Sequence, residues 1–159
     1  MIKKFFYIIF FCFFSQLLFA AGSDDSGSDS DNYLDKYKSA KQLVNRAKKL
    51  ETKGKTKKAY KLYDSAYEKL LEANKIESNN PDILNYLGFT LRKMGKFDQA
   101  ENYYLKGLEL KPDHNGINEY LGELYLQTNR IEKAKDRLAV LKNCKCDEYD
   151  QLKNLIEKN

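Results

Sequence analysis

The stretch DILNYLGFTLRKMGKFDQAENYYLKGLELKP, residues 82–112, decides the fold. Shifted by 34 residues it falls on 116–146, placing Ile83 on Ile117, Tyr86 on Tyr120, Leu87 on Leu121, Gly88 on Gly122 and Ala100 on Ala134. The block Ile-x-x-Tyr-Leu-Gly thus occurs twice in one register. Ile83, Leu84, Leu87 and Leu91 lie three or four apart and form one apolar helical stripe. Glycine inside a helix costs roughly 1 kcal/mol against alanine. Its presence at both Gly88 and Gly122 therefore implies a packing gain, and a second helix is expected to bring its backbone close there. Gly95 and Asn129 stand where the first helix of each pair should end, and both residue types accept the left-handed conformation that closes a helix. Asp98-x-x-Glu101 reads as an acidic capping box for the next helix. Pro112 should end that helix, and Asp113 or Asn115 should cap the one after.

A 34-residue period with helical patterning resembles the tetratricopeptide repeat, written W-x2-L-G-x2-Y, A-x3-F and P. The first copy supplies Leu84, Leu87, Gly88 and Leu91, then Ala100, Tyr104 and Pro112. The second supplies Asn118, Leu121, Gly122 and Tyr125, then Ala134 and Leu138, with Cys146 at the proline position. The resemblance implies an all-α solenoid, built here of about three helical hairpins plus a C-terminal capping helix. It also implies a protein-interaction module whose first helices line a concave surface for a peptide or protein. Carried onto this chain, that surface comprises Lys41, Asn45 and Lys48, then Asn85, Tyr86, Phe89, Arg92 and Lys93, then Glu119, Tyr120, Glu123 and Gln127. The Lys/Asn clamp that some family members use for C-terminal carboxylates is not reproduced, because Val44 and Glu119 interrupt it.

The flanks complete the division of the chain. Residues 1–22 read as an export signal: Lys3 and Lys4, an apolar run from Phe5, then small residues at Ala20 and Gly22. Residues 23–32, SDDSGSDSDN, offer nothing apolar to bury and read as a disordered acidic linker. Residues 33–80 read as a divergent, elongated first hairpin, with Leu43, Ala47 and Leu50 before Gly54, and Ala59 and Tyr63 after it. Gly54 to Gly95 is 41 residues, so its second helix should run two turns long and keep its stripe in phase. The two repeats then span 81–146, as 81–112 and 115–146. Asp147 should cap a last helix within 147–159, which carries Tyr149, Leu152, Leu155 and Ile156 on one face.

Composition narrows the function. Residues 36–61 hold 11 Lys or Arg against the single acid Glu51. This basic segment suits weak contact with an anionic membrane or envelope polymer. Nucleic acid is not an expected partner of an exported chain. His114 is the sole histidine, no Ser or Cys stands in a nucleophile motif, and no Gly-rich phosphate loop occurs, so neither enzyme activity nor a cofactor or metal is expected. Cys144 and Cys146, two apart, read first as a disulfide in an exported chain. The alternatives are a redox-active dithiol, or a metal site helped by His114, either giving a redox or metal-handling envelope protein on the same fold.

The expected product is therefore a bacterial envelope adaptor or assembly factor, periplasmic after cleavage, with an uncleaved N-terminal membrane anchor as the alternative. Intact-mass measurement on native material should show cleavage after Ala20 or Gly22. A full-length mass in the membrane fraction would give the anchored form instead.

Overall fold

The computed structural model describes the backbone of residues 26–159 and the side chains of residues 32–159. The export signal expected at 1–22, and residues 23–25, lie outside the described residues. Among the described residues seven helices follow one another: α1 (Ser26–Glu51), α2 (Thr56–Ile76), α3 (Pro81–Lys93), α4 (Phe97–Leu110), α5 (Asn115–Gln127), α6 (Ile131–Leu141) and α7 (Asp147–Glu157). They pack as three antiparallel hairpins, α1–α2, α3–α4 and α5–α6, with α7 laid against α5 and α6. Helix α1 starts at Ser26, so it takes in residues 26–32 of the segment expected to be a disordered linker. None of the described helices is long and apolar enough to cross a membrane.

The reversals inside the hairpins share one device. Gly54, Gly95 and Asn129 adopt φ of 67°, 78° and 57°. The next amide then turns back to a carbonyl five residues earlier: Lys55 to Leu50, Lys96 to Leu91 and Arg130 to Tyr125. The left-handed residue thereby satisfies carbonyls that a helix end leaves open.

The first hairpin is longer for a reason visible in its core. Helix α2 has 21 residues and α4 has 14, a difference of seven. Ala59, Tyr63, Ala66, Leu70 and Ala73 are all buried and alternate steps of four and three. Seven residues return the stripe to nearly the same face, so the added turns bury the same side of the helix. Ala40, Val44 and Ala47 of α1 complete that interface, where small side chains let the two helices lie close.

The glycine pair works differently from the backbone-to-backbone approach expected of it. Each glycine makes room for a side chain. A Cβ on Gly88 would lie 2.5 Å from the buried Tyr104 ring of α4. A Cβ on Gly122 would lie 2.5 Å from Leu152, which comes from α7. In the last repeat Leu138 replaces the aromatic, and the capping helix supplies the side chain that covers Gly122.

Three capping expectations need correction. Helix α4 begins after Lys96 without any side-chain cap, and Glu101 pairs with Arg130 at 2.8 Å. Helix α5 is capped by His114, whose Nδ1 accepts from the Ile117 amide at 3.2 Å, and not by Asp113 or Asn115. In α7, Asp147 is the first helical residue, and Cys146 stands in the cap position with no side-chain bond. The acids Asp147, Glu148 and Asp150 still favour this end through the helix dipole. At the start of α3, Asn80 Oδ1 accepts from the Asp82 and Ile83 amides, and Pro81 is the first helical residue.

The two glycines should respond unequally to alanine. At Gly88 the obstacle is a buried ring, so Gly88→Ala should cost about 1–3 kcal/mol in urea melts. At Gly122 the obstacle is the methyl end of the buried Leu152, which would have to shift, and the helix gains about 1 kcal/mol of propensity. Gly122→Ala should therefore cost less than Gly88→Ala. Equal losses at both positions would contradict this assignment.

Candidate functional site

The surface expected to bind a partner divides into a closed half and an open half. The closed half centres on Phe89, which is 3% exposed. Its ring stands 4.9 Å from that of Tyr120 and 6.0 Å from that of Tyr63, and Lys48 Nζ lies 4.6 Å from its centroid. Arg92 is 4% exposed and binds Glu123 at 2.7 Å. Lys93 binds Glu51 at 2.8 Å, and the Tyr63 hydroxyl donates to the same carboxylate at 2.9 Å. Phe89, Arg92, Lys93 and Glu123 thus serve a seam that ties α1, α2, α3 and α5 together. They are not open groove residues, because the crossing of the first helices is close enough for their side chains to partner each other. Lys48 and Gln127 remain exposed at its border.

The open half holds Asn85, Tyr86, Glu119 and Tyr120. They line a cavity of about 570 Å³ with Tyr37 and Lys41 of α1, Asp82 of α3, the loop around His114, and Glu148 of α7. Its aromatic walls are anchored by an edge-to-face pair, Tyr37 with Tyr86, at 5.6 Å between centroids. Burial raises the hydroxyl pKa of Tyr37, Tyr86 and Tyr120, so each is a neutral donor at physiological pH.

Two side chains in this cavity carry acceptors without partners among the described residues. Asn85 is 6% exposed and its Oδ1 has no hydrogen-bond partner. Glu119 is 3% exposed and takes part in no hydrogen bond or ion pair among the described residues. Burial, and then the neighbouring carboxylates Glu123 and Glu148, push its carboxyl up to about 8. Lys48 and Arg92 oppose that shift from α1 and α3 without overcoming it.

Sequence reasoning missed the mouth of this cavity. His114 Nδ1 accepts the Ile117 amide, so the ring proton sits on Nε2 and donates to Asp82 at 3.0 Å. The histidine thereby joins the starts of α3 and α5. Asn118, in the place of the family's tryptophan, is fully buried and donates to the carbonyls of Pro112 and His114 at 3.0 and 3.1 Å. It accepts from Arg137 at 3.3 Å. The signal was present in the sequence as a polar residue on an otherwise apolar stripe.

Cys144 and Cys146 lie outside the cavity, in the α6–α7 turn. Their Cα atoms are 5.2 Å apart, within disulfide reach, and Lys145 between them adopts φ of 50°. Among the described residues no three His, Cys, Asp or Glu side chains converge as metal ligands.

The tetratricopeptide repeat family matches residues 81–114, the α3–α4 hairpin with the loop that follows it. This hairpin is a tetratricopeptide repeat. The MIT (microtubule interacting and transport) domain family matches residues 37–88, which cover most of the first hairpin and the start of α3. Among curated relatives, the human protein O-mannosyl-transferase TMTC3 is 27% identical over 81 residues, 51% of this chain and 9% of that protein. The chain spans a quarter or less of the length of the curated relatives it matches. Among solved structures, the Yersinia enterocolitica type III secretion chaperone SycD, in complex with a peptide of the translocator YopD, aligns with a TM-score of 0.52 at 18% identity, covering 74% of this chain and 86% of that one. The Arabidopsis OM64 TPR domain aligns with a TM-score of 0.50 at 14% identity, covering 77% of this chain and 98% of that one. At these identities the likeness is one of fold.

Two outcomes follow from the split surface. Phe89→Ala should cost about 3 kcal/mol or more of stability, because it empties a filled position in the seam. Glu119 should impose a pH slope. Its native carboxyl holds a proton up to about 8, whereas the unfolded group releases it near 4.5. The native state binds more protons between those values, so stability falls as pH rises through that window. Denaturation across the window should show this decline, and Glu119→Gln should flatten it.

Proposed function

We propose that this chain is a non-enzymatic adaptor or assembly factor of the bacterial cell envelope that holds a peptide or protein segment on the face formed by α1, α3 and α5. The repeat fold is that of a protein-interaction module, which supports the coarse part of the reading. The observation that carries the rest is the open cavity. Among the described residues Asn85 Oδ1 and the Glu119 carboxyl have no hydrogen-bond or ion-pair partner, whereas in the seam beside it Arg92 pairs with Glu123 and Lys93 with Glu51. Unpaired buried polar groups are costly unless a ligand completes them.

The location is part of the proposal. It follows from the export-type N-terminus, with release to the periplasm after cleavage. In that compartment Cys144 and Cys146 would form a disulfide fixing the turn into α7, the helix that covers the last repeat. The basic 36–61 segment would make weak contact with anionic membrane or envelope polymer. Tyr60, Lys57 and Lys61 are exposed along it, as that contact needs.

Selection of displayed random peptides on the purified protein tests the reading. Selected peptides should shift backbone signals around Tyr86 and Tyr120, and Tyr86→Ala, measured well below its melting midpoint, should weaken their binding by about 1–3 kcal/mol. Peptides unaffected by Tyr86→Ala but lost on charge reversal at Lys57 and Lys61 would move the site to the basic hairpin.

A further inference from the structure

We propose that the cavity between α1, α3, α5 and α7 receives a cationic side chain, lysine or arginine, of the bound peptide, with Glu119 as its counter-ion and Asn85 as a neutral acceptor. This rests on the reading of the face as a peptide-binding surface and names the chemistry it selects.

The lining sets the sign of the ligand. Asp82, Asp113, Glu119 and Glu148 contribute carboxylates, against the ammonium groups of Lys41 and Lys111. Asp82 is already engaged by His114. Glu119 is the most buried of these acids and has no partner among the described residues, so a ligand carboxylate entering the cavity would meet repulsion from Glu148 and would keep Glu119 protonated. A ligand ammonium or guanidinium would instead find a desolvated counter-charge, where such a pair is worth far more than at the surface. Asn85 Oδ1, also buried and unpartnered, supplies an acceptor lining the same space.

The walls suit the same ligand. The rings of Tyr37, Tyr86 and Tyr120 line part of the cavity, and aromatic faces attract cations. The protein's own Lys41 demonstrates it, with Nζ 5.2 Å from the Tyr37 centroid and 5.6 Å from that of Tyr86. Lys41 Nζ has no acidic partner among the described residues, so it borders the cavity without neutralising Glu119. A volume of about 570 Å³ lies within the range of small-ligand sites and accommodates one long side chain with some backbone.

The proton balance gives the cavity a pH response. Glu119 faces Lys48 from α1, Arg92 from α3, Glu123 from its own helix and Glu148 from α7. A cation binds the ionised carboxylate, so binding displaces the proton that Glu119 otherwise holds and tightens as pH rises toward about 8.

The test uses two probes, acetyl-Gly-Gly-Lys-Gly-Gly-amide and its norleucine analogue, which keeps the methylenes and lacks the charge. Titration of the full chain, followed by amide and side-chain NMR signals of Asn85, Gly116 and Tyr120, should show roughly tenfold tighter binding of the lysine peptide. Glu119→Gln, which mimics the protonated acid and should fold, should remove that preference. Glu148→Gln, at the rim, should reduce it in part. Equal binding of both probes, or a preference retained in Glu119→Gln, would overturn the proposal. Library-selected peptides that occupy this face without a basic residue would overturn it too, while leaving the peptide-binding reading intact. Failure to select any peptide would remove both.

Discussion

The seating of Tyr104 on Gly88 is the contact on which the repeat depends. A phenol ring fills the space where any other residue would place a Cβ, so the glycine sets how closely α4 lies on α3. That spacing brings Gly107 under Ile117 of the next helix, where a Cβ would again be 2.5 Å away. One small residue thus admits a ring within a hairpin, and another admits an aliphatic side chain between hairpins. The position of α5 relative to α3 follows, and with it the width of the face they present.

The same logic explains why α7 belongs to the stack. The last hairpin has Leu138 where Tyr104 stands in the preceding one, and Leu152 of α7 comes to rest on Gly122. Without that helix the hollow above Gly122 would be uncovered. The capping helix also brings Glu148 to the cavity, so closing the core and completing the cavity wall are done by one element.

The hairpin order, the reversals at Gly54, Gly95 and Asn129, and the two extra turns of α2 were legible because each depends on local chemistry or on period. Conformational freedom shows in residue type, and seven residues keep a stripe in phase whatever packs against it. The face was only partly legible. Spacing places Asn85, Tyr86, Phe89 and Arg92 on one side of α3, but it does not say how near α1 and α5 come. That distance decides that Phe89 and Arg92 are enclosed while Asn85 and Tyr86 border open space. The caps failed for a related reason. Asp113 and Asn115 had the usual residue types, yet His114 could reach both the Ile117 amide and Asp82 across the repeat, a long-range partner that local pattern does not reveal.

The division of the face into a paired seam and an unpaired cavity has a consequence for how relatives of this chain diverge. In the seam Arg92 answers Glu123 and Lys93 answers Glu51, so a change on one side strands its mate in a partly desolvated place. Such positions are free to drift only as couples. Asn85 Oδ1 and Glu119 have no mate among the described residues, and none of those residues obliges them to change in step. Lineages that switch partners should therefore accumulate single, independent replacements around the cavity, while the seam a few ångströms away keeps its couples intact or swaps them together.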